Sequence, residues 1–257
     1  MRLSYSTRWL PKAGNTTREY EDAFAPRRSR SARALRSKRF AVADGASESL
    51  LAGRWADLLV RTFCDAPVGA DSTSVFTKAL DRWSATLSEY AEERERTCKP
   101  IQWFEEPGLE RGAFATFVGV QLAPDQNTWS AVALGDSCLL HFRGKKLITA
   151  FPREPGDGFD SNPPLICSRA TDLDAIRNHT LEKQGALKRG DAFLLVTDAV
   201  AAWFLEAESD GKGSWAMQFF FEAPKRRDFN GWVRDLRKEG SMRNDDVTVM
   251  RIDVEDS

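Results

Sequence analysis

Three acidic positions in this chain share a local setting that could support chemistry. Asp44 closes the apolar run Phe40-Ala-Val-Ala43 and precedes Gly45. Asp198 follows AFLLVT and precedes a helical pattern, and Asp245-Asp246 stand immediately before VTVMRI. A carboxylate at the end of a strongly apolar segment is desolvated on one side, which is costly unless a cation or hydrogen-bond donors compensate. Carboxylates converging from separate strand ends form an all-oxygen site, the donor set preferred by Mg²⁺ or Mn²⁺. Taken singly, each Asp also suits a strand-end turn or a helix N-cap. The rest of the chain tips the balance toward a metal site. It has two histidines, His141 and His179, neither with a partner at catalytic spacing, and no nucleophile-elbow GxSxG. Its four cysteines (Cys64, Cys98, Cys138, Cys167) lie far apart with no CxxC pair, so they read as buried free thiols, not as zinc ligands or a redox pair.

The elements that must position these acids follow from hydrophobic periodicity. Residues 40–43 read as a buried strand ending at Asp44-Gly45. Leu51, Trp55, Leu58, Leu59 and Phe63 recur at helical spacing and predict a helix over 48–64. Phe76, Leu80, Trp83, Leu87 and Tyr90 stripe a second helix over 72–96, with EERER as its solvated end. From residue 112 onward short apolar runs alternate with Pro-Asp, Gly-Asp and Arg-Gly-Lys, the mark of a β-meander. The segment 152–164 holds four prolines and two glycines and must be a loop. AFLLV (192–196) reads as a strand leading into a helix through Trp203 and Phe204. Phe229, Trp232, Val233 and Leu236 give a last amphipathic helix, and 247–254 a terminal strand. Strands come in clusters, which argues for an antiparallel β-sandwich flanked by helices and against a doubly wound sheet. No repeat or biased linker divides the chain, so residues 1–257 read as a single domain.

On these residues the chain resembles the protein phosphatase 2C family of metal-dependent Ser/Thr phosphatases. Glu21-Asp22-Ala23, Phe40-Ala-Val-Ala-Asp44-Gly45, Ala133-Leu-Gly135-Asp136-Ser137, Leu194-Leu-Val-Thr-Asp198 and Asp245-Asp-Val-Thr-Val249 occur in the family's order and approximate spacing. The resemblance implies an α+β fold, a central antiparallel β-sandwich with helices on both sides. It also implies two Mn²⁺ or Mg²⁺ ions, with Asp44 bridging both, the Gly45 carbonyl beside it, and Asp198 and Asp245 as further direct ligands. Glu21 and Asp22 match an acidic pair holding metal-bound waters, and Asp246 stands outside the ligands where the family usually has Asn. The implied reaction is hydrolysis of phosphoserine or phosphothreonine on proteins by a water shared between ions ~3.5–4 Å apart.

Several positions depart from the pattern. The family's phosphate-gripping arginine position is Thr17 here, with Arg18 one place nearer the acidic pair as the substitute. ASES (46–49) replaces the glycine-rich stretch, Ala46 replaces a histidine of some members, and Ala199 replaces a glycine. Ala202 replaces an acid that would help hold a third metal, leaving Asp136 alone for it. The altered rim leaves two other readings open: a catalytically weak module that binds phosphorylated partners, or a phosphatase of small phosphoesters.

Composition bounds the partners. The 37 basic and 38 acidic residues leave a net charge of -1, so no whole-protein attraction to nucleic acid or anionic lipid exists. RRSRSARALRSKR (27–39) carries seven Lys/Arg and no acid; it reads as a solvated loop or a docking site for phosphoserine substrates, and without aromatic interleaving it does not support base stacking. No apolar run approaches the ~20 residues of a membrane span, and the N-terminus lacks a signal-peptide core. The expectation is a cytoplasmic monomer acting on a phosphorylated protein.

Overall fold

The computed structural model describes residues 1–257 apart from 27–37, 68, 160–161, 214–215, 217–219, 221–225 and 256–257, and apart from the side chains of 226 and 227. Two antiparallel sheets are stacked face to face. One has the order β1 (Arg2–Leu10), β11 (Val247–Glu255), β10 (Asp191–Val196), β6 (Cys138–Arg143), β7 (Lys146–Phe151). The other has the order β2 (Ala23–Ala25), β3 (Lys38–Gly45), β4 (Phe114–Ala123), β5 (Thr128–Leu134), β9 (Leu181–Ala186), with β8 (Ile166–Cys167) also paired to β4. Helices α1 (Ala52–Asp65) and α2 (Ser72–Arg96) cover the second sheet, while α5 (Asp198–Ser209) and α6 (Arg226–Lys238) cover the first. The expected helix-flanked sandwich is what the chain forms.

The period-two alternation of strands explains the layering. In β3, Phe40 and Val42 point between the sheets, where they meet Val118, Val120, Leu139, Phe193, Leu195, Met250 and Ile252. Ala41 and Ala43 point the other way, and their small side chains let Trp55 and Leu59 of α1 pack close to the sheet. The same division runs through β10: Phe193 and Leu195 face the inter-sheet core, whereas Leu194 and Val196 face Phe204, Phe229, Trp232 and Leu236. Both faces of β3 and β10 are thus apolar and covered, which fixes the ends of these two strands in space. Trp55 adds a polar tie, its Nε1 donating to the Ile166 carbonyl at 2.8 Å.

Several expectations are corrected here. The first helix begins at Ala52, not at 48, because residues 46–49 are tied to β4. Ser49 Oγ donates to the Ala46 carbonyl and accepts from Phe114 N, and Leu51 at the N-cap adopts φ 66°. Outside the predicted elements the chain also forms α3 (Glu106–Arg111), β8 and α4 (Leu173–His179). Cys98 is exposed, contrary to the expectation of buried thiols; Cys138 is buried, and burial pushes its thiol up to about 12. Most of the basic run 27–39 lies outside the described residues. Arg39, at its end, is structural: its guanidinium donates to Gln121 Oε1, Phe63 O and Ala70 O and lies 4.8 Å over the Phe63 ring. Among the described residues no helix is long and apolar enough to cross a membrane.

Candidate functional site

The apolar strands end where the acids begin. β3 delivers Asp44 and Gly45, β10 leads through Thr197 into Asp198 at the first turn of α5, and Asp245-Asp246 immediately precede β11. Asp136 follows β5 at a sharp turn through Gly135, whose φ of 102° and close approach to Thr116 leave no room for a side chain. Asp44, Asp136, Asp198 and Asp245 line one cleft of about 630 Å³, together with Gly45, Ala46, Thr116, Arg111 and Arg243. The strands that carry these acids belong to both sheets, so the cleft opens along one edge of the sandwich.

Electrostatically the cleft is unsettled. Burial pushes the Asp44 carboxyl well above its usual range, and the charges of Asp22, Asp198 and Asp245 push it further. Burial likewise raises Asp22, with Asp246 and Asp198 adding to the effect. Asp198 is pushed up to about 7, first by burial and then by Asp136 and Asp245. Its Oδ1 accepts from Ala199 N at 2.5 Å, and its Oδ2 lies 3.6 Å from Arg243 Nη1, the contacts that oppose the shift. The helix N-terminus adds a favourable partial charge.

Asp22 sits behind this cluster. Its Oδ2 accepts from Thr248 Oγ1 at 2.6 Å, and Tyr20 contacts the same hydroxyl. Its Oδ1 is buried without a donor. Asp22 and Asp44 come within hydrogen-bonding reach of each other, an approach two carboxyls tolerate only with a shared proton or a cation.

The remaining expected site residues do not line the cleft. Asp246 is buried and holds the loop 12–21, accepting from Lys12 N at 2.8 Å and Glu21 N at 2.7 Å. Asn244 holds the same loop by accepting from Ala13 N. Glu21 is half-buried and raised by burial, with Ser47 as its hydrogen-bond partner. Arg18 is exposed on the turn that precedes Glu21, outside the cleft. Of the two histidines, His141 is buried, stacked on Phe193 and 3.1 Å from Asp191, whereas His179 is exposed on α4. Sequence reasoning missed Arg243, which carries no motif, and Thr248, whose hydroxyl orients Asp22.

The donor set suits a hard divalent cation. It consists of carboxylate oxygens and a nearby backbone carbonyl, and among the described residues no cationic side chain pairs with Asp22 or Asp44. Among the described residues no three His, Cys, Asp or Glu side chains are drawn tightly enough together to enclose an ion by themselves. An ion here would therefore be shared with water, as Mg²⁺ prefers.

Gly45 is hemmed in by backbone on two sides. A Cβ there would lie 2.7 Å from the Glu21 carbonyl oxygen and 2.8 Å from the Ala52 carbonyl carbon, both backbone atoms. Gly45→Ala should therefore cost about 1–3 kcal/mol and displace the Asp44 carboxyl. Urea unfolding and a Mn²⁺ titration check this; unchanged values for both would show that the two backbones yield freely.

No family model matches the chain, and no curated protein matches it. Solved structures do. The Mycobacterium tuberculosis serine/threonine phosphatase PstP/Ppp aligns over 100% of both chains at 18% identity with a TM-score of 0.54. The catalytic domain of PstP has also been solved in complex with 2 manganese ions. The photosystem II phosphatase PBCP aligns over 98% of this chain and 99% of its own at 15% identity, TM-score 0.59. The PP2C phosphatase domain of SpoIIE from Bacillus subtilis, solved with a regulatory fragment, aligns over 99% of this chain and 63% of its own at 13% identity, TM-score 0.55. The fold is that of the protein phosphatase 2C family.

Proposed function

We propose that the chain is a divergent, bacterial-type member of the protein phosphatase 2C family that hydrolyses phosphoserine and phosphothreonine on proteins with the help of two Mn²⁺ or Mg²⁺ ions. The observation that carries this reading is the meeting of Asp44, Asp136, Asp198 and Asp245 in one cleft on a fold of this type. Asp44, Asp198 and Asp245, with the Gly45 carbonyl, would hold the ions, and Glu21 and Asp22 would receive their waters. Asp136 alone is a weak holder for a third. Bound ions supply a water acidic enough to be hydroxide near neutral pH and positive charge against the phosphoryl oxygens.

The chain's own residues do the rest. Thr248 and Tyr20 fix the rotamer of Asp22 through one hydroxyl. Thr197 accepts from Thr248 N at 3.0 Å and so ties the start of α5 to β11, setting Asp198 relative to Asp245. Asp246 and Asn244 hold the loop that carries Glu21 against the same strand end. Within this reading the protein is a cytoplasmic monomer whose substrate is a phosphorylated protein.

A phosphopeptide assay with Mn²⁺ and with chelator, run beside a calorimetric Mn²⁺ titration, tests the reading. Wild-type protein should turn over only with the metal, and Asp245→Ala should lose both turnover and at least one ion. Protein that binds Mn²⁺ but hydrolyses no phosphoester would falsify the catalytic reading.

A further inference from the structure

We propose that Arg243, not Arg18, grips the phosphoryl group in this cleft, an inference that deepens the phosphatase reading and rests on it for the identity of the ligand. A dianionic phosphate entering among Asp44, Asp136, Asp198 and Asp245 meets four carboxylates; bound ions offset part of that charge, and a cation of the chain beside the phosphoryl oxygens adds to the attraction and orients them. The arginine nearest the family's position fails to do so: Arg18 is exposed on the turn around 16–19 and does not line the cleft. Arg243 does line it, from the segment between α6 and β11.

Its guanidinium is already oriented. Nη2 donates to the Phe159 carbonyl at 3.2 Å, and Nη1 lies 3.6 Å from Asp198 Oδ2. An arginine has five N–H donors in a planar fork, and one hydrogen bond plus one loose ion pair leave most of them for a ligand. The side chain is 48% exposed, so those donors reach the open cleft. Its charge is felt by both Asp136 and Asp198, which places it at their end of the acidic set; Asp136 also feels Arg153, which does not line the cleft. The other cation of the cleft, Arg111, ends α3 with an exposed side chain and no partner among the described residues to orient it. A fork held at two points and open at the others matches two non-bridging oxygens of a phosphate monoester.

Inorganic phosphate is the probe, titrated calorimetrically into Mn²⁺-loaded wild type and into Arg243→Ala, Arg243→Lys, Arg18→Ala and Arg111→Ala, with circular dichroism as the folding control. Arg243→Ala should weaken phosphate about tenfold to a hundredfold, the loss expected for charged hydrogen bonds. Arg243→Lys should recover part of it, and Arg18→Ala and Arg111→Ala should change it less than about threefold on the same scale. Mn²⁺ should bind Arg243→Ala at least as tightly as wild type, because a cation beside Asp198 has been removed. The proposal is overturned if Arg243→Ala keeps its phosphate affinity, if Arg18→Ala or Arg111→Ala suffers the larger loss, or if wild type takes up no phosphate. Because binding is read without turnover, wild-type protein that binds phosphate through Arg243 and hydrolyses nothing sinks the phosphatase reading and leaves this one intact.

Discussion

Asp44→Asn is expected to remove phosphopeptide hydrolysis by about a thousandfold or more while making the metal-free protein more stable. The two effects have one origin. Asp44 is a carboxylate held in a desolvated position beside Asp22, Asp198 and Asp245, so folding either confines its charge against three others or forces it to keep a proton. Asparagine has the same shape and no charge, and neutral replacements of poorly compensated buried ions stabilise by about 1–4 kcal/mol. At this chain length 2 kcal/mol corresponds to about 4–8 °C in Tm. The same substitution deletes the central anionic donor of the proposed cation site, and charge stabilisation of several kcal/mol corresponds to about three powers of ten in rate. Thermal melting in chelator and steady-state kinetics with Mn²⁺ read the two halves. A lower Tm in chelator would mean that Asp44 is held by favourable contacts, contrary to the electrostatics of the cleft.

The second large effect is a stability that falls as pH rises, and its reversal by divalent ions. Burial, followed by neighbouring carboxylates, raises Asp22 and Asp44 well above the ordinary carboxylate range, and Asp198 to about 7. Burial also raises Glu21, Asp136 and Asp246. For each group the folded state holds a proton that the unfolded chain releases, so the native form binds more protons and stability declines with pH. The contribution is complete below the unfolded carboxylate range and is lost as pH climbs through the folded value, which for Asp198 means through about 7. Each retained proton is worth about 1.4 kcal/mol per pH unit in that window. In chelator, Tm should therefore drop between about pH 5 and about pH 7, and Mn²⁺ should raise it more at the alkaline end, since there it displaces fewer protons. A flat or rising Tm over that interval, without metal, would show that the acids are compensated in some other way.

Much of the scaffold could be read in advance because its signals are long and repetitive. The stripe from Phe76 to Tyr90 marks α2 over its full length, and the apolar runs ending at Asp44 and Asp198 mark strands covered on both faces. The six residues of α3 and seven of α4 are too short for a period of 3.6 to register, and Gly108 weakens the first of them further. The start of α1 is hidden in the sequence because its apolar stripe is continuous with Leu51, while the true boundary is set by Ser49 bonding to β4. In the cleft, the strand-end acids were visible as polar interruptions of apolar runs. Arg243 was not, since Gly240-Ser241-Met242-Arg243-Asn244 has no periodicity and its place is decided only by Phe159 and Asp198 across the fold. Asp246 was legible as an acid, but its use as an acceptor for Lys12 N and Glu21 N depends on where the 12–21 loop lands.

The acids of the cleft come from two separate sheets. Asp44 rides on β3 of one, Asp198 and Asp245 flank β10 and β11 of the other, and the packing between the sheets is made mostly of apolar side chains. Such a layer resists separation more than sliding. The distances among the carboxylates are therefore a gauge of the shear between the sheets, and anything that rivets the acids together also locks one sheet's position over the other. Hydrogen exchange in the middle of β3 and β10, at 40–42 and 192–195, would slow on occupancy even though those residues gain no contact of their own.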